Sequence, residues 1–144
     1  MPECRVSLSL EPDFRNVDLA RAAIQGVCGD FIKPDSDGPC CPTFCLAVTE
    51  AMNNAVEHSG ASLIVVEVEI TGEEMLCRLI TEGPRFDSTK PASLPENNDP
   101  LDVAEGGYGL MLMQKLTDRL EHDYRDGKNI LTMGKNLSEE KGKD

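Results

Sequence analysis

The sequence predicts an α/β fold of the α+β kind: a two-layer sandwich with a mixed, mostly antiparallel sheet covered by helices on one face. Two observations predict it. Stretches with the three- and four-residue apolar period of a helix alternate with stretches of period two. Consecutive period-two stretches are joined by short turns, which link antiparallel neighbours; parallel strands would need a crossover of about a dozen residues.

Arg5–Leu10 alternates, with Val6, Leu8 and Leu10 on one face, and predicts a strand. Glu11-Pro12-Asp13 breaks it. Phe14 to about Phe31 then carries Val17, Ala20, Ala23, Ile24 and Val27 at helical spacing, with Gly29 weakening its end. Lys33–Pro42, rich in Pro, Asp, Ser and Gly, predicts a surface loop. Thr43–Gly60 predicts the central helix, with Thr43 as N-cap and Gly60 as the C-terminal stop. Its apolar face is Phe44, Val48, Ala51, Met52 and Ala55.

After Gly60 the period becomes two. Ile64–Ile70 and Met75–Ile80 predict two strands around a turn at Thr71–Glu74. Thr81–Glu105 has almost no apolar periodicity and contains four prolines, the composition of a lid or binding loop. Gly106, Gly107 and Gly109 end it, and Leu110–Leu120 predicts an apolar helix. A closing hairpin pairs Leu120–Tyr124 with Asn129–Gly134 through Asp126-Gly127. One domain over residues 1–137 and a charged flexible tail, Ser138–Asp144, account for the chain.

At 144 residues the chain is long enough to bury a core, and its composition, 40% hydrophobic and 28% charged, is that of a globular domain. A formal net charge of −12 argues against nucleic acid and anionic membrane surfaces as partners. No apolar run approaches the ~20 residues of a membrane span. The N-terminus lacks the order of a secretory signal, so a cytoplasmic location is expected. The six cysteines are then expected as reduced thiols. Cys40, Cys41 and Cys45 are crowded but lack paired CxxC spacing, so a thiol redox or metal switch is the lesser reading.

The central helix also carries a polar stripe. Glu50, Asn54 and His58 recur every four residues and so stack along one side. His58 in the last turn is also favourable with the helix dipole alone. Downstream, Gly106, Gly107 and Gly109 let backbone N–H groups approach an anion at a helix N-terminus.

TEAMNNAVEHSG and EGGYGLMLMQKLTDRLEH, in this order and at this separation, resemble the N-box and the second glycine box of the GHKL superfamily of ATPases, which includes gyrase, heat-shock chaperone, histidine kinase and mismatch-repair ATPases. Within it the chain is most similar to bacterial anti-sigma-factor serine/threonine kinases, over Val6 to about Leu137. The resemblance implies that Asn54 holds Mg²⁺, that Glu50 positions or deprotonates the attacking hydroxyl, and that Gly83, Gly106, Gly107, Gly109 and Leu110 frame ATP. It implies a sigma factor and a STAS-type anti-sigma-factor antagonist as partners, and a homodimer.

The first glycine box departs from the family pattern Asp-x-Gly-x-Gly. Gly83, Pro84, Phe86 and Asp87 match, whereas Thr81 stands for the Asp that receives the adenine amine and Arg85 for the second Gly. A hydroxyl accepts a hydrogen bond without the charge that strengthens it. Glu82 would substitute if the loop shifted by one residue. Arg85 would either block the pocket or meet a phosphate. Beside the Mg·ATP-dependent kinase stands a second reading: a module that keeps the fold and partner surface without nucleotide chemistry.

Overall fold

The computed structural model describes residues 4–31, 40–87, 89 and 111–136, with side chains described outside 28–31 and 40–43. Strand β1 (Cys4–Leu10) leads into helices α1 (Phe14–Phe31) and α2 (Cys40–His58), then β2 (Ile64–Ile70) and β3 (Glu74–Glu82). Residues 111–116 are helical, and β4 (Arg119–Arg125) and β5 (Lys128–Asn136) close the described chain. The five strands form one sheet in the order β1-β2-β3-β5-β4, antiparallel at every described pairing.

Alternation decides which face is covered. Register places Val68 opposite Cys77, and Cys77 opposite Met133, so these share the inner face. Ile64, Val66, Val68 and Ile70 are buried there with Met75, Cys77, Leu79, Leu131 and Met133. From the other layer α2 contributes Phe44, Cys45, Val48, Ala51, Met52 and Ala55, and α1 contributes Val17, Ala20 and Ile24. Each fully buried Val, Ile or Met side chain stabilises the fold by about 1.5–3 kcal/mol. The outer face is polar: Glu69 pairs with Arg5 at 2.8 Å and with Arg78 at 3.5 Å.

Two turns have the chemistry their backbone demands. Gly60 adopts φ 70° just past α2, the left-handed stop a helix favours. Asp126 at φ 54° and Gly127 at φ 75° turn the β4–β5 hairpin.

Three boundaries differ from the sequence reading. Helix α2 begins at Cys40, so Thr43 lies inside it and is not its N-cap. Strand β3 runs to Glu82 because Thr81 has ladder partners on both sides, Ile64 and Asn129. The late helix stops at residue 116, short of Leu120. There Thr117 Oγ1 donates back to the Met113 carbonyl at 2.6 Å, and the Asp118 amide donates to the Gly134 carbonyl at 2.7 Å. That contact docks the chain on β5, and tertiary pairing overrides helix propensity. Residues 90–110 of the expected lid and glycine cluster, and the tail, lie outside the described residues.

Candidate functional site

A small cavity opens between α2 and the sheet. Ala51 and Ala55 line it from the helix, Leu79 and Thr81 from β3, Leu131 and Asn129 from β5, with Phe86 and His122 completing the wall. Alanines one turn apart on α2 leave a gap that longer side chains would fill. The cavity measures about 10 Å³, close to the least that holds one water. Its two buried polar residues, Thr81 at 5% and Asn129 at 4% exposure, face each other across the β3–β5 ladder.

The loop after β3 is held by the β4–β5 hairpin. The Gly83 amide donates to the Gly127 carbonyl at 2.9 Å, and Tyr124 Oη donates to the Gly83 carbonyl at 2.8 Å. Asn129 then spans the loop: its Nδ2 donates to the Pro84 carbonyl at 2.8 Å, and its Oδ1 accepts the Phe86 amide at 2.6 Å. His122 Nε2 lies 3.0 Å from the same Oδ1, and His122 Nδ1 lies 3.6 Å from Asp87 Oδ2. Gly83 sits at φ 150°, where a side chain is strained.

The residues singled out in the sequence fall around this cavity unevenly. Thr81 is in its wall. Glu50 and Asn54 are half-buried on α2, each adjacent in sequence to a lining alanine, but do not line the cavity. His58 is exposed, 3.6 Å from Glu57, with its ring 6.5 Å from that of Phe86. Arg85 is exposed and does not line the cavity, so it does not block it. Glu82 is exposed at the end of β3 and is likewise absent from the wall. Gly106, Gly107, Gly109 and Leu110 lie outside the described residues. Asn129, His122 and Tyr124 were missed. The visible signal was the pair of polar rings at alternate positions of a strand otherwise short of apolar residues.

Of the cysteines singled out in the sequence, the side chains of Cys40 and Cys41 lie outside the described residues, as does that of Cys28. Cys45 and Cys77 are buried in the core, and burial, with Cys45 adjacent, pushes the Cys77 thiol up to about 12. A thiol held protonated is a poor nucleophile and metal ligand. Among the described residues no three His, Cys, Asp or Glu side chains gather to hold a metal, and no helix is long and apolar enough to cross a membrane.

Comparison with known proteins bears on the family and the fold. A family model described as histidine kinase-like ATPase domain matches residues 10–135. The serine/threonine-protein kinase BtrW of Bordetella bronchiseptica is 32% identical over 95 residues, which cover 63% of this chain and 67% of that protein. An anti-sigma F factor of a Thermoanaerobacter strain is 28% identical over 88 residues, covering 59% of this chain and 62% of its own. The RsbU and RsbW domains of Rv1364c from Mycobacterium tuberculosis share the fold, with TM-score 0.66 and 18% identity over 94% of this chain and 33% of that one. The match thus spans about two thirds of the curated relatives and a third of the structural neighbour.

Proposed function

The chain belongs to the histidine kinase-like ATPase domain family, and from that premise we propose that it is an anti-sigma-factor-like regulator that binds Mg·ATP and phosphorylates a serine or threonine of a STAS-type antagonist. One observation carries the reading. The gap beside Ala51 and Ala55 on α2 faces Thr81, so the helix of Glu50 and Asn54 and the strand of the first glycine box flank one cavity.

The donor types present suit a nucleotide and Mg²⁺, and the cavity of about 10 Å³ would have to widen to take the base. Asn54 offers a neutral carbonyl oxygen, a hard donor suited to Mg²⁺, which takes further positions from phosphate and water. Mg·ATP supplies the activated γ-phosphoryl group. Thr81 accepts a hydrogen bond from the base edge, and Gly83 keeps the floor loop close. Gly106, Gly107, Gly109 and Leu110 supply backbone N–H groups to the phosphates, with Arg85, exposed beside the loop, as their countercharge. Glu50 takes the proton of the attacking hydroxyl as its oxygen bonds the γ-phosphorus and ADP leaves. The domain is residues 1–137, and its partners are a sigma factor, the antagonist and a second copy of the chain, in the cytoplasm.

The test is transfer itself. Incubated with the antagonist and Mg·ATP, the protein should add one phosphoryl group to a single serine or threonine, read by mass spectrometry of the partner. An unmodified partner, bound but never phosphorylated, would contradict the kinase reading.

The narrowness of the cavity and the uncharged Thr81 favour one other reading, a partner-binding module without nucleotide chemistry. Thr81→Asp with Arg85→Gly separates the two. With the rest of the site intact, the regained charge-assisted hydrogen bond tightens ATP binding about ten- to a hundredfold. If neither form binds ATP, partner binding alone remains.

A further inference from the structure

The wall of the cavity is short of groups that can tell one base from another. Five of its eight lining residues have apolar side chains, and the polar three are Thr81, Asn129 and His122. Asn129 uses both ends of its amide on the floor loop. Its Nδ2 donates to the Pro84 carbonyl at 2.8 Å, and its Oδ1 accepts the Phe86 amide at 2.6 Å. His122 turns Nε2 to that same oxygen, 3.0 Å away. The wall then meets the edge of a base with the hydroxyl of Thr81, a residue 5% exposed. Glu82 and Arg85 are exposed, and no carboxylate lines the cavity among the described residues.

We propose that the cavity takes purine nucleoside triphosphates whether the base carries an amino group or a carbonyl at carbon 6, and that Thr81 is the residue responsible. The proposal rests on the reading of the cavity as the site of the base. Adenine shows an amino donor at carbon 6, whereas guanine and hypoxanthine show a carbonyl acceptor there. An ionised carboxylate only accepts, so in the place of Thr81 it would favour the amine and repel the carbonyl. A hydroxyl has one hydrogen and two lone pairs, and it rotates to suit its partner. Thr81 accepts from the amine or donates to the carbonyl, and both are hydrogen bonds between neutral groups, of similar strength.

Strong selectivity arises when the wrong substrate leaves a buried polar group of the site unpaired. Neither base does that to a hydroxyl. The apolar part of the wall, Ala51 and Ala55 on α2 with Leu79 and Leu131 on the sheet, meets the ring and not its substituent pattern. Guanine adds an amino group at carbon 2, which is a question of room in a narrow cavity. Hypoxanthine lacks that group, so inosine triphosphate isolates the effect of carbon 6 and the ring nitrogen beside it.

The test is calorimetric titration of the full chain with ATP and with inosine triphosphate, each in the presence of Mg²⁺. The two affinities should agree within about threefold. Thr81→Asp should part them, with ATP bound about tenfold or more tighter than inosine triphosphate. Thr81→Val, which keeps the shape and removes the hydroxyl, should weaken both by the same factor. A preference beyond about threefold for either nucleotide in the natural protein overturns the proposal. So does a Thr81→Asp protein that binds both alike, or a Thr81→Val protein that loses one of them alone. The comparison in the natural protein needs no substitution, so it decides the matter even where a variant fails to fold. If neither triphosphate binds, the nucleotide reading falls and this proposal with it. ATP binding that excludes inosine triphosphate overturns this proposal and leaves the nucleotide reading intact.

Discussion

Helix α2 and the β4–β5 hairpin both shape the cavity, and they do so by different means. The helix presents polar groups on a rigid cylinder: Ala51 and Ala55 line the gap, while Glu50 and Asn54 stand beside them half in solvent. The hairpin presents almost nothing reactive. Its Tyr124, Gly127 and Asn129 hold the Gly83–Phe86 backbone in place by hydrogen bonds. Groups proposed for chemistry can therefore change with little structural cost, whereas groups that position a loop carry stability as well.

This difference can be broken or sharpened by substitution. The largest effect belongs to the helix. Glu50→Ala should slow phosphoryl transfer by about 10²–10⁴-fold, the usual worth of a general base, while thermal unfolding and ATP affinity stay nearly unchanged. A comparable loss of stability would erase the contrast between the two regions. Next comes Asn129→Ala, which strands the Phe86 amide, the Pro84 carbonyl and His122 Nε2. It should lower unfolding stability by about 2–3 kcal/mol in urea titration, since leaving buried polar groups unsatisfied costs about 1–3 kcal/mol. A change within experimental error would mean that the hairpin does not hold the loop. Tyr124→Phe removes a single hydrogen bond to Gly83 and should cost about 1 kcal/mol.

The smallest effect at neutral pH lies in the core beneath both regions. Burial raises the Cys77 thiol from 9.0 to about 12. The folded chain then holds a proton that the unfolded chain releases, so this contribution is complete below pH 9 and is lost as pH rises toward 12. Unfolding titrations at alkaline pH should show that decline, and Cys77→Ala should flatten it. At neutral pH, thiol reagents should label Cys77 only as fast as the protein unfolds.

The contrast also explains what could be read from the chain. Among the described residues every strand, both long helices, the Gly60 stop and the Asp126-Gly127 turn follow from periods and turn chemistry that are local. So does the Glu50–Asn54 stripe, because four residues of helix bring the two together. Thr43 was misplaced as a cap because the preceding Cys-Cys-Pro already belongs to the first turn, where proline is tolerated. The clamp was hidden for another reason. Its hydrogen bonds join residues 41, 43 and 45 positions apart, and no local pattern marks an asparagine in β5 as the partner of a loop after β3. The exposure of Arg85 was likewise fixed only by the path of that loop.

The central claim is that the cavity between α2 and the sheet receives Mg·ATP, with Asn54 on the metal. Calorimetric titration of ATP into the protein, with and without Mg²⁺, tests it most directly. The account predicts saturable binding that requires Mg²⁺ for full affinity and that Asn54→Ala weakens about tenfold or more, at unchanged thermal stability. Folded protein that takes up no ATP at millimolar concentration with Mg²⁺ present, or binding that Asn54→Ala and Mg²⁺ removal leave untouched, would contradict it.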